Sequence, residues 1–193
     1  MRTPYSLLLA SVLILLSAPA SAHLLGMHGA GFEAGITHPF TGLDHLLAML
    51  AVGMWAVQQG GRALWRIPLA FVAMMTLGGM LALAGMQLPM VETGIAASLL
   101  VLGLLIVFSA RLPVAAGMAL VGIFALFHGH AHGTEIPLAA LPVAYALGFV
   151  LATAALHGIG IVLGKYMKHG ALPLMQLSGA AVAATGVWLV LSR

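Results

Sequence analysis

The sequence predicts an all-α, polytopic membrane protein with six transmembrane helices after a cleavable signal peptide. Three observations carry this reading. Of 193 residues, 62% are hydrophobic and only 6% charged, where soluble chains carry roughly a quarter charged residues. A chain this short cannot bury so much apolar surface within itself, so lipid must cover the excess. The apolar residues also form repeated runs near the ~20 residues that a bilayer requires, broken by short stretches rich in Pro, Gly and charge.

Met1 to Ala22 reads as the signal peptide: Arg2 charges its start, Leu7 to Leu16 forms the apolar centre, and Ala20-Ser21-Ala22 makes an A-x-A cleavage site. Residues 23–193 then form a single six-helix transmembrane domain. Cleavage makes His23 the new N-terminus, where amine and imidazole together offer metal donors; the plainer reading is that His23 merely follows the cut. His28 to Thr37, Gly-rich and containing Glu33, reads as a short re-entrant segment outside the first span.

Six spans follow, at about 42–58, 64–86, 90–110, 112–128, 138–164 and 171–191. Pro89, Pro113, Pro137 and Pro173 fall at or near their ends, and Pro68 and Pro142 in early turns, where proline is tolerated. If the mature N-terminus lies outside, Arg62, Arg66, Arg111, Lys165 and Lys168 all fall in or beside internal loops. That agrees with the positive-inside rule and with an external N-terminus. Gly160-x-x-x-Gly164 suggests close helix packing.

Several function classes drop out. The net charge of +3 comes from only seven scattered basic residues, with no patch to track phosphates, so no nucleic-acid partner is expected. No nucleotide-binding motif is present, so this chain does not hydrolyse ATP. With no cysteine, a metal site must use His, carboxylate, backbone or Met, which favours Ni, Co, Cu(II) or Zn without choosing among them.

Two clusters supply such donors. His38-Pro39-Phe40-Thr41-Gly42-Leu43-Asp44-His45 puts two imidazoles and a carboxylate at the mouth of the first span, in a chain with four acidic residues. Polar groups there are expensive and call for a function. Thr41-x-x-Asp44 also fits a helix-capping pattern with Thr41 as cap, and His45 shares a helix face with Met49. The second cluster is His128-Gly129-His130-Ala131-His132-Gly133-Thr134-Glu135. His128 and His132 lie one turn apart if the helix continues, but the interleaved glycines suggest that it frays into a chelating loop.

The predicted topology brings His38, Asp44, His45, Glu92, His128, His132 and Glu135 to the external half of the bundle. His157, on the order of 24 Å deeper in the fifth span, reads either as a buried neutral ring bonded to a backbone carbonyl or as an inner station for a cation. His169, beside Lys168, reads as solvated.

These residues resemble the HupE/UreJ family of bacterial membrane proteins, associated with hydrogenase and urease and regarded as nickel or cobalt permeases. The likeness spans the mature chain. It rests on His38-Pro39-x-x-Gly42-x-Asp44-His45-x-x-x-Met49 and His128-Gly129-x-x-His132-Gly133-x-Glu135, with Leu156-His157 in the fifth span. The resemblance implies that His38, Asp44, His45, His128, His132 and Glu135 handle metal; His130 stands at a non-motif position. It further implies no resident cofactor and Ni(II), with Co(II) as the alternative, as transported substrate. Rival readings are an intramembrane zinc hydrolase, which lacks an H-E-x-x-H string, and a sensor or metallochaperone that binds without transport.

Overall fold

In a computed structural model of the chain, every element among the described residues is helical. Residues 29–168 and 173–192 are described; residues 1–22, expected to form a signal peptide, and His23, His28, His169 and Arg193 lie outside them. In order, the elements are α1 (Gly29–Thr37), a 3-10 turn (His38–Phe40), α2 (Leu43–Gln59), α3 (Ala63–Leu83), α4 (Val91–Val107), α5 (Val114–Thr134), α6 (Pro142–Lys168) and α7 (Leu174–Leu191).

Four helices, α3, α5, α6 and α7, are long and apolar enough to cross a membrane alone. A fifth arises if α1 with its 3-10 turn is counted with α2 as one broken span, bent by 78°. The expectation of six full spans is therefore corrected to four, or up to five. The difference lies at the first and third spans. Helix α4 has only 17 residues, about 25 Å against a hydrocarbon core of about 30 Å. Left-handed Met90 and Ser109, at φ 56° and 48°, bracket it at either end.

Short connections make successive helices run up and down. The starts of α2 and α4, the end of α5 and the start of α6 therefore share one end of the bundle. Arg62, Arg66, Arg111, Lys165 and Lys168 sit at the other. There the end of α2 is tied to the α4–α5 connection: Trp55 Nε1 donates to the Ala110 carbonyl (3.1 Å), Gln58 Nε2 to the Ile106 carbonyl (3.0 Å), and the Leu112 N–H to Gln59 Oε1 (3.3 Å).

In lipid, close approach of small residues rather than apolar burial drives helices together. The Gly160-x-x-x-Gly164 pair packs on α2 as expected: a Cβ at Gly160 would strike the Leu50 carbonyl, and one at Gly164 would lie 3.2 Å from Met54 Cα. Gly78 and Gly129 play the same part between α3 and α5. Trp55, Phe71, Met49, Leu99 and Leu102 fill the space between, all fully buried.

Candidate metal centre

The first cluster enters the bundle through a bend. Thr41 does not cap α2: its hydroxyl donates to the His38 carbonyl at 2.7 Å and closes the 3-10 turn. The cap position is Gly42, in extended conformation and without a side-chain cap bond. A Cβ at Gly42 would lie 2.8 Å from His45 Cδ2 and 2.9 Å from Asp44 Oδ1, so glycine leaves room for both side chains to fold back over the turn. Asp44 Oδ1 accepts the His45 N–H at 2.9 Å and stands 4.0 Å from His45 Nε2. The carboxylate thus serves the helix start, but from within the first turn and not as the partner of a Thr41 cap.

The second cluster is helical to Thr134 and does not fray. Glycine is there for another reason: a Cβ at Gly129 would collide with the Met75 carbonyl, and one at Gly133 would lie 2.7 Å from Ala82 Cβ and 2.8 Å from the Gly79 carbonyl oxygen. Tertiary packing against α3 overrides the low helix propensity of these residues. A continued helix puts His128 and His132 on one face, as the spacing requires.

The two clusters meet. His38 Nε2 lies 2.9 Å from Glu135 Oε2, and His132 Nδ1 lies 3.6 Å from the same oxygen. His38, His132 and Glu135 each offer a donor atom, all within 4.8 Å of one another. His45 extends the group, its ring 4.1 Å from that of His132 and 5.1 Å from that of His128. His128 Nδ1 donates to the Phe124 carbonyl at 2.9 Å. That bond fixes the tautomer and leaves Nε2 as a buried bare acceptor without a partner among the described residues, the arrangement in which histidine presents itself to a metal. Neither nitrogen of His132 has a hydrogen-bond partner among them. Buried polar atoms left so are uncommon and costly.

The His132 imidazole, and after it that of His38, holds the Glu135 carboxyl below its ordinary range, against the opposing effect of burial. The carboxylate is half-exposed, so the charge of an arriving cation meets it at the rim.

Other predicted residues sit elsewhere. His130 faces away from the group and bonds through Nε2 to the Met86 carbonyl at 2.8 Å, holding α5 to the α3–α4 connection. Glu92 is exposed in the first turn of α4 and is not one of the three grouped donors. Met49 is fully buried one turn below His45. His157 is buried within α6, and neither of its nitrogens has the carbonyl partner that one reading expected.

Two residues that sequence reasoning passed over, Tyr145 and Phe149, stack at 6.1 Å and form an aromatic wall. The Phe149 ring lies 4.1 Å from His132 and the Tyr145 ring 5.7 Å from His38. Their four-residue spacing at the start of the fifth span was the available signal. A cavity of about 80 Å³, lined in part by Met75, Gly79, His132 and Phe149, opens beside the group.

Because His130 acts as a tie, His130→Ala should cost about 1 kcal/mol of stability and leave metal affinity unchanged. Thermal melts paired with equilibrium metal binding in detergent check this; a loss of affinity would place His130 among the ligands.

The HupE/UreJ protein family matches residues 11–189 of this chain. Protein HupE of Rhizobium leguminosarum bv. viciae is 45% identical over 183 residues, covering 93% of this chain and 95% of that protein. No solved structure matches it significantly.

Proposed function

The chain belongs to the HupE/UreJ family of membrane transporters, which are not enzymes, and we propose that it imports Ni(II), with Co(II) as the alternative cargo, from periplasm to cytoplasm. The metal would supply hydrogenase or urease. In this reading the protein lies in the inner membrane and its histidine-rich end faces the periplasm.

The observation that carries this proposal is the meeting of His38 with Glu135 across 97 residues of sequence, with His132 grouped beside both. Half of a divalent ion's nitrogen and oxygen donors stand ready in a chain with four acidic residues. We assign capture to His38, Asp44, His45, His128, His132 and Glu135. The carboxylates lower the cost of a double charge near hydrocarbon, and the imidazoles favour a transition metal over Mg or Ca. Tyr145 and Phe149 wall the group and limit water beside it.

Uptake of radiolabelled nickel into proteoliposomes tests the proposal. The wild type should accumulate metal saturably, and Asp44→Ala and His38→Ala should each lose on the order of tenfold or more. Metal bound but never accumulated would overturn transport in favour of a sensor or metallochaperone.

Ligation takes neutral imidazole and ionised carboxylate. Glu135, held below the ordinary carboxylate range by His132 and His38, stays ionised in mild acid. Acid sensitivity then belongs to the competition between protons and metal for the imidazole nitrogens. Lowering external pH should therefore reduce uptake at fixed free metal and membrane potential. A flat profile would contradict histidine ligation.

A further inference from the structure

Resting on the permease reading, we infer that His157 is a second, inner coordination station, which receives the cation from the external group. Three observations converge on it.

The first is the state of the ring. His157 is 2% exposed, and both of its nitrogens lack a hydrogen-bond partner among the described residues. A helical histidine has an easy remedy, which His128 uses by donating to the carbonyl four residues back. His157 does not take it. The α2–α6 contact fixes its backbone, since a Cβ at Gly53 would strike the His157 carbonyl oxygen. A buried, rigidly mounted ring with both nitrogens unspent is costly unless it serves a ligand.

The second is a file of rings leading to it. From His38 the centroids step to His132 at 4.8 Å, to His45 at 4.1 Å and to His128 at 5.1 Å. Phe71 follows 5.6 Å from His128 and stands edge-on to His157 at 5.1 Å. His157 lies 15 residues into α6, about 22 Å from the histidine-rich end of that helix. The file therefore reaches well into the bundle, and a single apolar ring divides its outer and inner parts.

The third is the set of neighbouring donors. Thr153, fully buried, lies one turn before His157 on the same face of α6. Its hydroxyl donates to Met75 Sδ at 3.8 Å, and Met75 lies one turn beyond Phe71 on α3. Imidazole, hydroxyl and thioether are all neutral. The four acidic residues, Glu33, Asp44, Glu92 and Glu135, all belong to the opposite end. A station without carboxylate holds a dication less tightly than the outer group, which suits a site that must release its cargo inward.

The test uses the full chain, with Co(II) as binding probe in detergent and radiolabelled nickel uptake in proteoliposomes. The wild type should bind two Co(II) per chain at saturation. His157→Leu, which keeps volume, and His157→Ala should bind one, keep the tighter affinity within about threefold, and lose on the order of tenfold or more in uptake. A merely structural role would move stability without changing stoichiometry. Wild-type uptake in His157→Leu, or outer affinity falling in step with uptake, would overturn the station. If neither variant folds, the wild-type stoichiometry decides alone, one ion counting against the inference. Two ions bound with none accumulated would sink the permease reading and leave the second site standing; one ion with normal uptake would do the reverse.

Discussion

His132→Ala should lower nickel uptake at sub-saturating metal by on the order of 100-fold or more, the largest loss of any single donor. His132 is the hub of the group: its ring lies between those of His38 and His45, and its Nδ1 faces the carboxylate of Glu135. It is also 3% exposed, so water cannot readily replace the missing ligand. Its Nδ1 approaches the Glu135 carboxylate at 3.6 Å and neither nitrogen bonds a backbone group, so truncation removes metal-binding capacity without leaving a backbone group unsatisfied. The folding cost is that of a small cavity against Phe149, about 1–3 kcal/mol. Glu135→Gln offers the comparison. It keeps shape and removes charge at a half-exposed rim position, where solvent screens the interaction, so a loss nearer tenfold is expected. Uptake assays with membrane insertion measured in parallel establish the order. His132→Ala within about twofold of wild type would remove this residue from the metal's path.

The meeting of the two clusters was legible because it depends on which end of a helix each motif occupies. Charge asymmetry among Arg62, Arg66, Arg111, Lys165 and Lys168 suggested an orientation, and the up-and-down alternation of successive helices brought His38 and His45 towards His132 and Glu135. What remained hidden depends on tertiary approach. The glycines at 129 and 133 looked like a frayed end, whereas they let α5 lie directly on α3. The 78° break before α2 was equally hidden, since Gly42 is read locally as a turn residue and only the crowding of Asp44 and His45 against it explains its place. Glu92 starts α4 at that same end, exposed and not one of the three grouped donors. The aromatic wall of Tyr145 and Phe149 looked like ordinary core, because nothing in an apolar run marks which aromatic faces a polar group.

The helix contact beneath the site yields the second large effect. Gly129→Ala should destabilise the protein by about 3 kcal/mol, the upper end for overpacking, and should reduce uptake even where the chain still inserts. The added methyl would collide with the Met75 carbonyl. Backbone cannot rotate aside, so α5 must move away from α3 and carry His128 and His132 with it. Gly122→Ala separates this from any general intolerance of side chains on α5. Gly122 lies two turns earlier on the same helix and faces the same partner, but its Cβ would meet Met74 Cγ at 3.1 Å. Met74 is an unbranched side chain that can adjust, and alanine improves helix propensity by about 1 kcal/mol, so this variant should melt at or above wild type and transport normally. The two substitutions are chemically identical and differ only in whether a methyl meets backbone or a flexible side chain. Equal melting temperatures for both would mean that the α3–α5 contact does not hold the histidine face in place. A low melting temperature and low uptake for Gly129→Ala alone would show that the site's geometry is set by the glycine interface.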